Sequence, residues 1–383
     1  KTMRPSKRLA LLSLTIASVI LRTFSSEVNC SDIRSRMDCL EGIGKEHCGY
    51  CLASGNCASR SGNDCPDGCL FFESHTESNH AGSEPTCHVP GNPTNTTTFN
   101  EDLATRYAKL AGAAYCSEEN LTNWNCIGDK CINGMVPEGV AINKEYELVA
   151  YYGIDFGEPG DPTGPRVTIV FRGTVMIDIM NWVEDLDIKR VSPYLDSPKV
   201  KVHAGFFHAY SKLRSEIEGF LDEAPRYPLV IIGHSLGGAM GSICAYEIAR
   251  QTNRYAFPGI TLFTFGSPRV ANLFFNQELG DMAVNSWRIT HARDIVPHVP
   301  FQSLGFYHHS REVWFPDKQY VPGNYNICDG SGEDPVCQDS LWFATSVEDH
   351  LNYIGVQLGR GGCIFPGPGP VVDSWNVEAV DKR

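Results

Sequence analysis

The sequence predicts an α/β fold with a mostly parallel central sheet flanked by helices, preceded by a small disulfide-rich module. Apolar strands alternate with helical patterns from Asn100 onward, which is typical of a parallel sheet. The run Leu229–Ile232 is short and apolar throughout, as in a strand buried on both faces. Eight of the fifteen cysteines lie between Cys30 and Cys87, in a stretch too poor in aliphatic residues to fold around a hydrophobic core alone.

The first residues form a basic and then apolar segment that is typical of a secretory signal peptide. Four basic residues lie within the first eight positions, and the apolar run Leu9–Leu21 is too short to span a membrane. We therefore expect an exported, extracellular protein without a transmembrane span, in which sequons at Asn29, Asn95 and Asn120 permit glycans. A buried N-terminal helix is the alternative, but it gives the basic residues no role.

We expect five segments along the chain: a signal peptide at 1–26, a cysteine-rich module at 27–90, a polar linker at 91–99, an α/β domain at 100–365 and a flexible tail at 366–383. The spacing Cys39-x8-Cys48-x-x-Cys51-x5-Cys57 resembles the plexin–semaphorin–integrin cysteine-rich module. That resemblance implies a spacer or a contact surface for a protein partner. A zinc site that uses these cysteines and nearby histidines is the alternative, but export and the irregular spacing disfavour it.

The overall charge limits the class of partner. The formal net charge is −13, and such an acidic surface argues against nucleic acid and against electrostatic docking on anionic phospholipid. Neutral lipid is not excluded, because it attracts proteins through apolar contact. With 42% hydrophobic and 20% charged residues, the chain can bury a sizeable core.

The hydrophobic periodicity gives the elements of the α/β domain in order. We expect Asn100 to cap a first helix, whose apolar residues recur from Leu103 to Ala114. Further helices are expected at Phe206–Phe220 and Ala239–Arg250. Strands are expected at Glu147–Tyr152, Arg166–Phe171, Leu229–Ile232, Ile260–Phe265, Ser286–Thr290 and Glu312–Phe315.

The segment Gly233-His234-Ser235-Leu236-Gly237 matches the pattern G-x-S-x-G and joins a predicted strand to a predicted helix. In that context the tight turn raises a serine hydroxyl above the sheet edge, at the positive end of the helix dipole. We therefore interpret Ser235 as the nucleophile of a serine hydrolase. A glycine-rich turn without chemistry is the alternative.

A serine hydroxyl needs a general base, and that base needs a carboxylate to orient it; in this architecture they follow in the order Ser, Asp, His. Asp294 comes directly after a predicted strand and is the expected acid, with turn capping as its alternative role. Asp281 competes, but it precedes that strand and so lies at the wrong end of the sheet. His350 is the expected base because it lies late in the chain, with His308 and His309 as its rivals.

Seven motifs occur in the order found in the fungal-type (class 3) lipases, which are α/β-hydrolases. They are Phe171-Arg172-Gly173-Thr174, Asn181-Trp182-x-x-Asp185-Leu186, Val202-His203-x-Gly205-Phe206, Gly233-His234-Ser235-Leu236-Gly237-Gly238, Thr264-Phe265-Gly266-x-Pro268-Arg269-Val270, Arg293-Asp294-Ile295-Val296-Pro297-His298 and Asp349-His350-Leu351-x-Tyr353. The region from Asn100 to Cys363 therefore resembles this family, and the resemblance assigns Asp294 and His350 to the family's catalytic positions.

The resemblance also implies an oxyanion hole and a lid. The oxyanion donors would be Leu236, which the elbow geometry indicates independently, and Thr174, with Asp185 as its hydrogen-bond partner. A mobile lid is implied within 175–187. Its apolar side chains on one helical face are Ile179, Trp182, Val183 and Leu186. A helix packed permanently on the core is the alternative.

The family pattern further implies three disulfides in the α/β domain. These are Cys116–Cys363, Cys126–Cys131 and Cys328–Cys337, the last as in the related feruloyl esterases. Cys244 is left over and is expected to be a buried free thiol.

Together these features predict a secreted serine carboxylic-ester hydrolase, a lipase that cleaves acylglycerol esters at a lipid–water interface. The mechanism needs no metal and no organic cofactor. A phospholipase A or a feruloyl-type esterase on the same scaffold is the alternative within the class. An inactive hydrolase fold that serves as a binding protein is the alternative of another class.

Overall fold

A computed structural model of the chain describes residues 48–51, 57–59, 69–70, 98–126, 131–158, 164–174, 183, 186, 188–341, 344–359 and 363. The chain divides into two compact units, Lys1–Gly91 and Asn92–Arg383. The predicted signal peptide and tail, and most of the predicted cysteine-rich module and linker, lie outside the described residues. The five-segment division therefore stays a prediction.

The first unit contains a small antiparallel sheet. Its strands are β1 (Cys48–Cys51), β2 (Cys57–Ser59) and β3 (Cys69–Leu70), in the order β2-β1-β3. The pairing sets Tyr50 opposite Cys57 and Cys51 opposite Cys69. The four cysteines of this unit that the structure describes, Cys48, Cys51, Cys57 and Cys69, therefore lie on paired strands.

The second unit is built on an eight-stranded sheet in the order β13-β12-β11-β10-β9-β6-β5-β4. The five central strands β12, β11, β10, β9 and β6 run parallel, and the outer pairs are antiparallel. The strands of this unit are β4 (Met135–Asn143), β5 (Leu148–Asp155), β6 (Arg166–Phe171), β7 (Arg190–Val191), β8 (Val202–His203), β9 (Leu229–His234), β10 (Ile260–Phe265), β11 (Asn285–His291), β12 (Glu312–Phe315), β13 (Asn326–Ile327), β14 (Asn352–Tyr353) and β15 (Val356–Gln357).

Helices cover both faces of this sheet. They are α1 (Glu101–Ala113), α2 (Glu118–Asn123), α3 (Ala204–Ser211), α4 (Arg214–Glu223), α5 (Leu236–Arg250), α6 (Leu273–Asp281) and α7 (Val347–His350). Ile231 packs in the apolar cluster of α3 to α6, whereas its neighbours Val230 and Ile232 pack in the cluster of α1. Successive residues of β9 thus face two different cores, which explains why its sequence is apolar without alternation. The predicted α/β-hydrolase fold is confirmed.

Most predicted elements are observed, with shifted ends. Helix α1 begins after Asn100, whose side chain accepts a hydrogen bond from the backbone N–H of Leu103 at 2.8 Å, as expected of the predicted cap. Helix α5 begins at Leu236, three residues earlier than predicted, directly after Ser235. Strand β4 is not predicted by the alternation of its sequence, because it is an edge strand with a bulge at Pro137/Gly139.

The single helix predicted at Phe206–Phe220 is wrong, because the structure contains two helices, α3 and α4. The backbone tightens where α3 ends: Lys212 donates to the carbonyl of Ala209, and Leu213 to that of Tyr210. Leu213 is only 2% exposed in the core beside this break. A continuous apolar pattern is compatible with one helix or two, so the pattern alone could not show this break.

The predicted disulfides of the second unit are present. Cys116 is bonded to Cys363, Cys126 to Cys131 and Cys328 to Cys337, and Cys244 is a buried free thiol. Within the described part of the chain, none of the helices combines the length and apolar character needed to cross a membrane.

Candidate active site

Ser235 lies at a sharp turn between β9 and α5. Its backbone is in the positive-φ region, at φ 58° and ψ −128°, which is unusual for a residue other than glycine. A side chain at Gly233 would lie 2.1 Å from the carbonyl oxygen of Gly237, and one at Gly237 would lie 2.2 Å from that of Phe171. The two glycines are therefore required for the chain to make this turn around Ser235.

Asp294 follows β11 and is fully buried. Its Oδ2 lies 2.8 Å from Nδ1 of His350, and its Oδ1 accepts a hydrogen bond from the backbone N–H of Val296 at 2.8 Å. The Nε2 of Gln338 donates to its carbonyl oxygen at 3.1 Å. These contacts fix the carboxylate at the carboxyl ends of the parallel strands, which is the same edge of the sheet as Ser235.

His350 is the last residue of α7 and is also fully buried. A carboxylate only accepts hydrogen bonds, so the proton of the neutral imidazole lies on Nδ1, which faces Asp294. The opposite nitrogen, Nε2, is then an acceptor. This is the tautomer that a general base for a serine hydroxyl needs.

The segments that carry the acid and the base are joined by backbone hydrogen bonds. Ser346 donates to the carbonyl of Arg293, and Ile295 donates to the carbonyl of Ser346. The backbone N–H of Arg293 also donates to Oδ2 of Asp349 at 3.1 Å. These bonds hold the two segments, which are more than fifty residues apart in sequence, against each other next to the Asp294–His350 contact.

Two polar atoms of the centre remain unpaired. The Oγ of Ser235 and the Nε2 of His350 are both buried, and neither has a hydrogen-bond partner among the described residues. A buried polar atom without a partner is unfavourable and is more common at functional sites. Hydrogen bonds between a catalytic serine and its base are often long before substrate binds.

Tyr353 is a residue of this site that the sequence did not predict. Its hydroxyl donates to Oδ2 of Asp294, beside the contact with His350. Burial raises the pKa of Tyr353 well above its ordinary value, and the charge of Asp294 raises it further, so the hydroxyl keeps its proton and acts as a donor. The spacing of His350 and Tyr353 in one motif was the only signal in the sequence.

The rival residues lie elsewhere. Nε2 of His308 contacts the carbonyl of Pro297 at 2.8 Å, and Nδ1 of His309 contacts that of Ser310 at 3.3 Å. Burial lowers the pKa of His308 far below its ordinary value and that of His309 to about 3, so both are neutral structural residues. Asp281 is exposed at the end of α6, before β11.

The two predicted oxyanion donors flank the nucleophile. Leu236 is the first residue of α5, where a backbone N–H has no partner within the helix. Thr174 follows Gly173, and a side chain at Gly173 would lie 2.8 Å from Cβ of Ser235, so this loop packs directly on the nucleophile. Within the described residues, Oγ1 of Thr174 is buried and has no partner; its predicted partner Asp185 lies outside them.

Of the predicted lid residues, Ile179 and Trp182 lie outside the described residues. Val183 is partly buried and packs in a small cluster around Val296 and Leu351. These two residues follow Asp294 and His350 closely in the chain, so Val183 lies beside the candidate acid and base. Leu186 is also partly buried and packs against the larger core.

Two groups of metal-ligating residue types occur among the described residues. They are Cys116, Cys126 and Cys363, and Cys328, Asp334 and Cys337. All of these cysteines are in disulfides and have no thiolate to offer a metal. Neither group includes a residue of the candidate site.

Comparisons with known proteins identify the family of the chain. Residues 168–304 match the family model Lipase (class 3). A lipase of Rhizomucor miehei is 32% identical over 260 residues, which cover 67% of this chain and 69% of the relative. A secreted mono- and diacylglycerol lipase of Fusarium solani is 29% identical over 241 residues, which cover 58% of this chain and 67% of the relative.

A similar solved structure is the triacylglyceride lipase of Rhizomucor miehei. It aligns with a TM-score of 0.58 and 28% identity, and the alignment covers 68% of this chain and 96% of that structure. On the identity and coverage of these relatives, the chain belongs to the fungal-type (class 3) lipase family of α/β-hydrolases.

Proposed function

We propose that this lipase hydrolyses the carboxylic esters of acylglycerols through Ser235, Asp294 and His350. The observation that carries the proposal is the buried contact of 2.8 Å between Nδ1 of His350 and Oδ2 of Asp294. It fixes the tautomer in which Nε2 accepts a proton, beside a serine whose strained turn raises its hydroxyl at the start of a helix.

The proposed reaction has two steps. Nε2 of His350 takes the proton of Ser235 while Oγ attacks the ester carbonyl, and Asp294 stabilises the imidazolium that forms. The imidazolium then returns its proton to the leaving alcohol, so that an acyl-enzyme remains. Water, activated by the same nitrogen, attacks the acyl-enzyme and releases the fatty acid.

Both steps build negative charge on the former carbonyl oxygen. The backbone N–H of Leu236 and the Thr174 residue are the proposed donors to that oxyanion. The buried Oγ1 of Thr174, without a partner among the described residues, supports this role, because a buried hydroxyl with no other partner can donate to the oxyanion.

The substrate class rests on two lines of support. The solved relative acts on triacylglycerides and the Fusarium relative on mono- and diacylglycerols. The predicted lid residue Val183 packs beside the acid and base, where a displaced apolar segment would give a long acyl chain a surface to bind. We therefore propose a lid within 175–187 that opens at a lipid surface.

Export is part of the proposal. The basic and apolar N-terminal segment, the three disulfides and the secreted Fusarium relative support an extracellular enzyme. Within that proposal, the cysteine-rich module at 27–90 is a spacer or contact surface with no chemistry of its own.

A substrate panel tests the proposed function. The purified protein is assayed on triolein, phosphatidylcholine and methyl ferulate, beside Ser235→Ala and a matched variant, Ser242→Ala. Ser242 is a buried serine of α5 whose hydroxyl donates to the carbonyl of Gly238, away from the reaction. We expect triolein to be the best substrate, Ser235→Ala to lower kcat by roughly 10⁴-fold or more, and Ser242→Ala to keep its activity.

Each other result has a definite meaning. A preference for phosphatidylcholine or methyl ferulate would replace the substrate class but keep the chemistry. Turnover of all three esters by Ser235→Ala, or failure of an active-site phosphonate to label Ser235, would contradict the proposed nucleophile. No turnover by the unmodified protein would favour a binding role.

A further inference from the structure

Beside the candidate triad lies a buried chain of hydrogen bonds that the proposed mechanism does not use. The hydroxyl of Tyr115 lies 2.6 Å from Nδ1 of His234, and Nε2 of His234 lies 2.8 Å from the backbone carbonyl oxygen of His350. The backbone N–H of Gly173 donates to the Tyr115 oxygen at the other end. His234 is fully buried, and both of its ring nitrogens are paired.

The direction of each bond follows from its ends. The carbonyl oxygen of His350 only accepts, so Nε2 of His234 carries the proton and Nδ1 is an acceptor. The Tyr115 hydroxyl therefore donates to Nδ1, and its oxygen accepts from Gly173. The chain runs in one direction: Gly173 to Tyr115, Tyr115 to His234, and His234 to His350.

The bonds join the three segments on which the proposed reaction depends. Gly173 directly precedes the oxyanion residue Thr174, His234 directly precedes the nucleophile, and the last acceptor is the backbone of the base. A side chain at Gly173 would lie 2.4 Å from the Tyr115 hydroxyl and 2.6 Å from the carbonyl oxygen of His234, so only glycine fits between these groups. Outside this chain, Tyr115 itself is anchored next to the Cys116–Cys363 disulfide.

We infer that Tyr115 and His234 are positioning residues that hold the oxyanion loop, the nucleophile and the base in fixed positions relative to one another. The inference rests on the proposed function, since it assigns these residues a role in that reaction. Neither residue forms a hydrogen bond to Oγ of Ser235 or Nε2 of His350, which have no partner among the described residues. Each residue fixes the backbone next to the oxyanion donor, the nucleophile or the base. Small displacements of such groups lower reaction rates strongly.

The charge of His234 is consistent with this role. Its ring centroid lies 4.5 Å from that of His350, so a second positive charge there would oppose the imidazolium that forms on the base. Burial lowers the pKa of His234 well below its ordinary value, and the neighbouring His350 lowers it further. His234 therefore stays neutral and keeps its donor on the His350 carbonyl during turnover.

Tyr115→Phe tests the inference, because it removes one oxygen from the chain. Tyr151→Phe is the matched control: Tyr151 is also buried, and its hydroxyl donates to the carbonyl of Leu110 at 2.8 Å, away from the site. On a soluble short-chain ester we expect Tyr115→Phe to lower kcat by about tenfold with little change in KM. Both variants should lose similar thermal stability, and Tyr151→Phe should keep its kcat.

A second pair of variants separates the two bonds of His234. A glutamine amide reaches the position of Nε2 and can still donate to the His350 carbonyl, whereas an asparagine amide reaches only the position of Nδ1. We expect His234→Gln to keep kcat within about threefold of the unmodified enzyme and His234→Asn to lower it by about tenfold or more. This pair decides the question if Tyr115→Phe does not fold.

Ser235→Ala, assayed in parallel, separates failure of this inference from failure of the proposed function. If Ser235→Ala is inactive while Tyr115→Phe and His234→Asn keep the kcat of the unmodified enzyme, the positioning role is overturned and the triad stands. Equal losses of kcat in Tyr115→Phe and Tyr151→Phe would also overturn it, because stability alone would then account for the effect. Activity of Ser235→Ala would overturn both.

Discussion

At the scale of single residues, Gly266 shows how closely the acid and base are packed. It follows β10, has a φ of 56°, and lies against the Asp294–His350 contact. A Cβ at this position would lie 2.7 Å from Oδ2 of Asp294, 2.8 Å from Nδ1 of His350 and 2.6 Å from the hydroxyl of Tyr353. A methyl group would therefore displace the atoms that form the acid–base pair.

We predict that Gly266→Ala lowers kcat on a soluble ester by roughly 100-fold, because it separates Asp294 from His350. Gly164→Ala is the control: Gly164 has a similar φ of 71°, but no atom lies within 4 Å of an added Cβ. Both variants should lose about 1–3 kcal/mol of unfolding free energy from the strained backbone. Thermal unfolding and kcat are measured together, and full activity of Gly266→Ala would contradict the observed packing.

At the scale of elements, the loop closed by Cys328–Cys337 supports the candidate acid. Within the loop, Glu333 is buried and accepts hydrogen bonds from Nε and Nη2 of Arg269 at 2.9 and 2.7 Å. Gln338 follows the bridge directly, and its Nε2 donates to the carbonyl of Asp294 at 3.1 Å. The disulfide thus restrains a loop whose next residue along the chain contacts the backbone of the acid.

We predict that the double variant Cys328→Ser/Cys337→Ser loses stability and activity together. Opening a loop of 9 residues should lower the unfolding free energy by about 2–3 kcal/mol. The released Gln338 should lower kcat by about tenfold. The variant Cys126→Ser/Cys131→Ser opens a loop of 5 residues at a similar cost, away from the acid, and should keep kcat. The same kcat in both variants would argue against this role of the loop.

At the scale of the whole molecule, charge governs which lipid surfaces the protein can approach. The formal net charge of −13 repels anionic surfaces, and this repulsion acts over about 10 Å at 0.1 M salt and about 3 Å at 1 M. The proposed substrate is neutral and is bound by apolar contact. Surface charge on an emulsion should therefore affect docking and leave the chemical step unchanged.

We predict slower hydrolysis of triolein emulsions stabilised by phosphatidylglycerol than of those stabilised by phosphatidylcholine at low salt. The difference should shrink as salt rises, since screening removes the repulsion. Emulsion binding and fatty-acid release are measured across the salt range, with a soluble ester as control, whose hydrolysis should stay constant. Faster hydrolysis on the anionic emulsion at low salt would contradict the prediction.

The site was predictable to the extent that it depends on local pattern. The strand–turn–helix context identifies Ser235, and the chain order of acid and base points to Asp294. His350 was separated from His308 and His309 by the family motif, because spacing alone left the rivals open. For the lid, the sequence predicts an apolar face but not the residues that this face contacts. A helical pattern shows which side chains share a face, and it does not show what packs against them.

The local sequence is enough to predict the apolar strands, the cap of α1 at Asn100 and the glycines around Ser235, because each depends on residues a few positions apart. The contact of Tyr353 with Asp294 and the bonds from Tyr115 through His234 to His350 depend instead on how distant segments pack in the folded chain. These hydrogen-bond partners lie between 59 and 119 residues apart along the chain. They meet only because the order of strands brings their ends together, and no local propensity encodes that order.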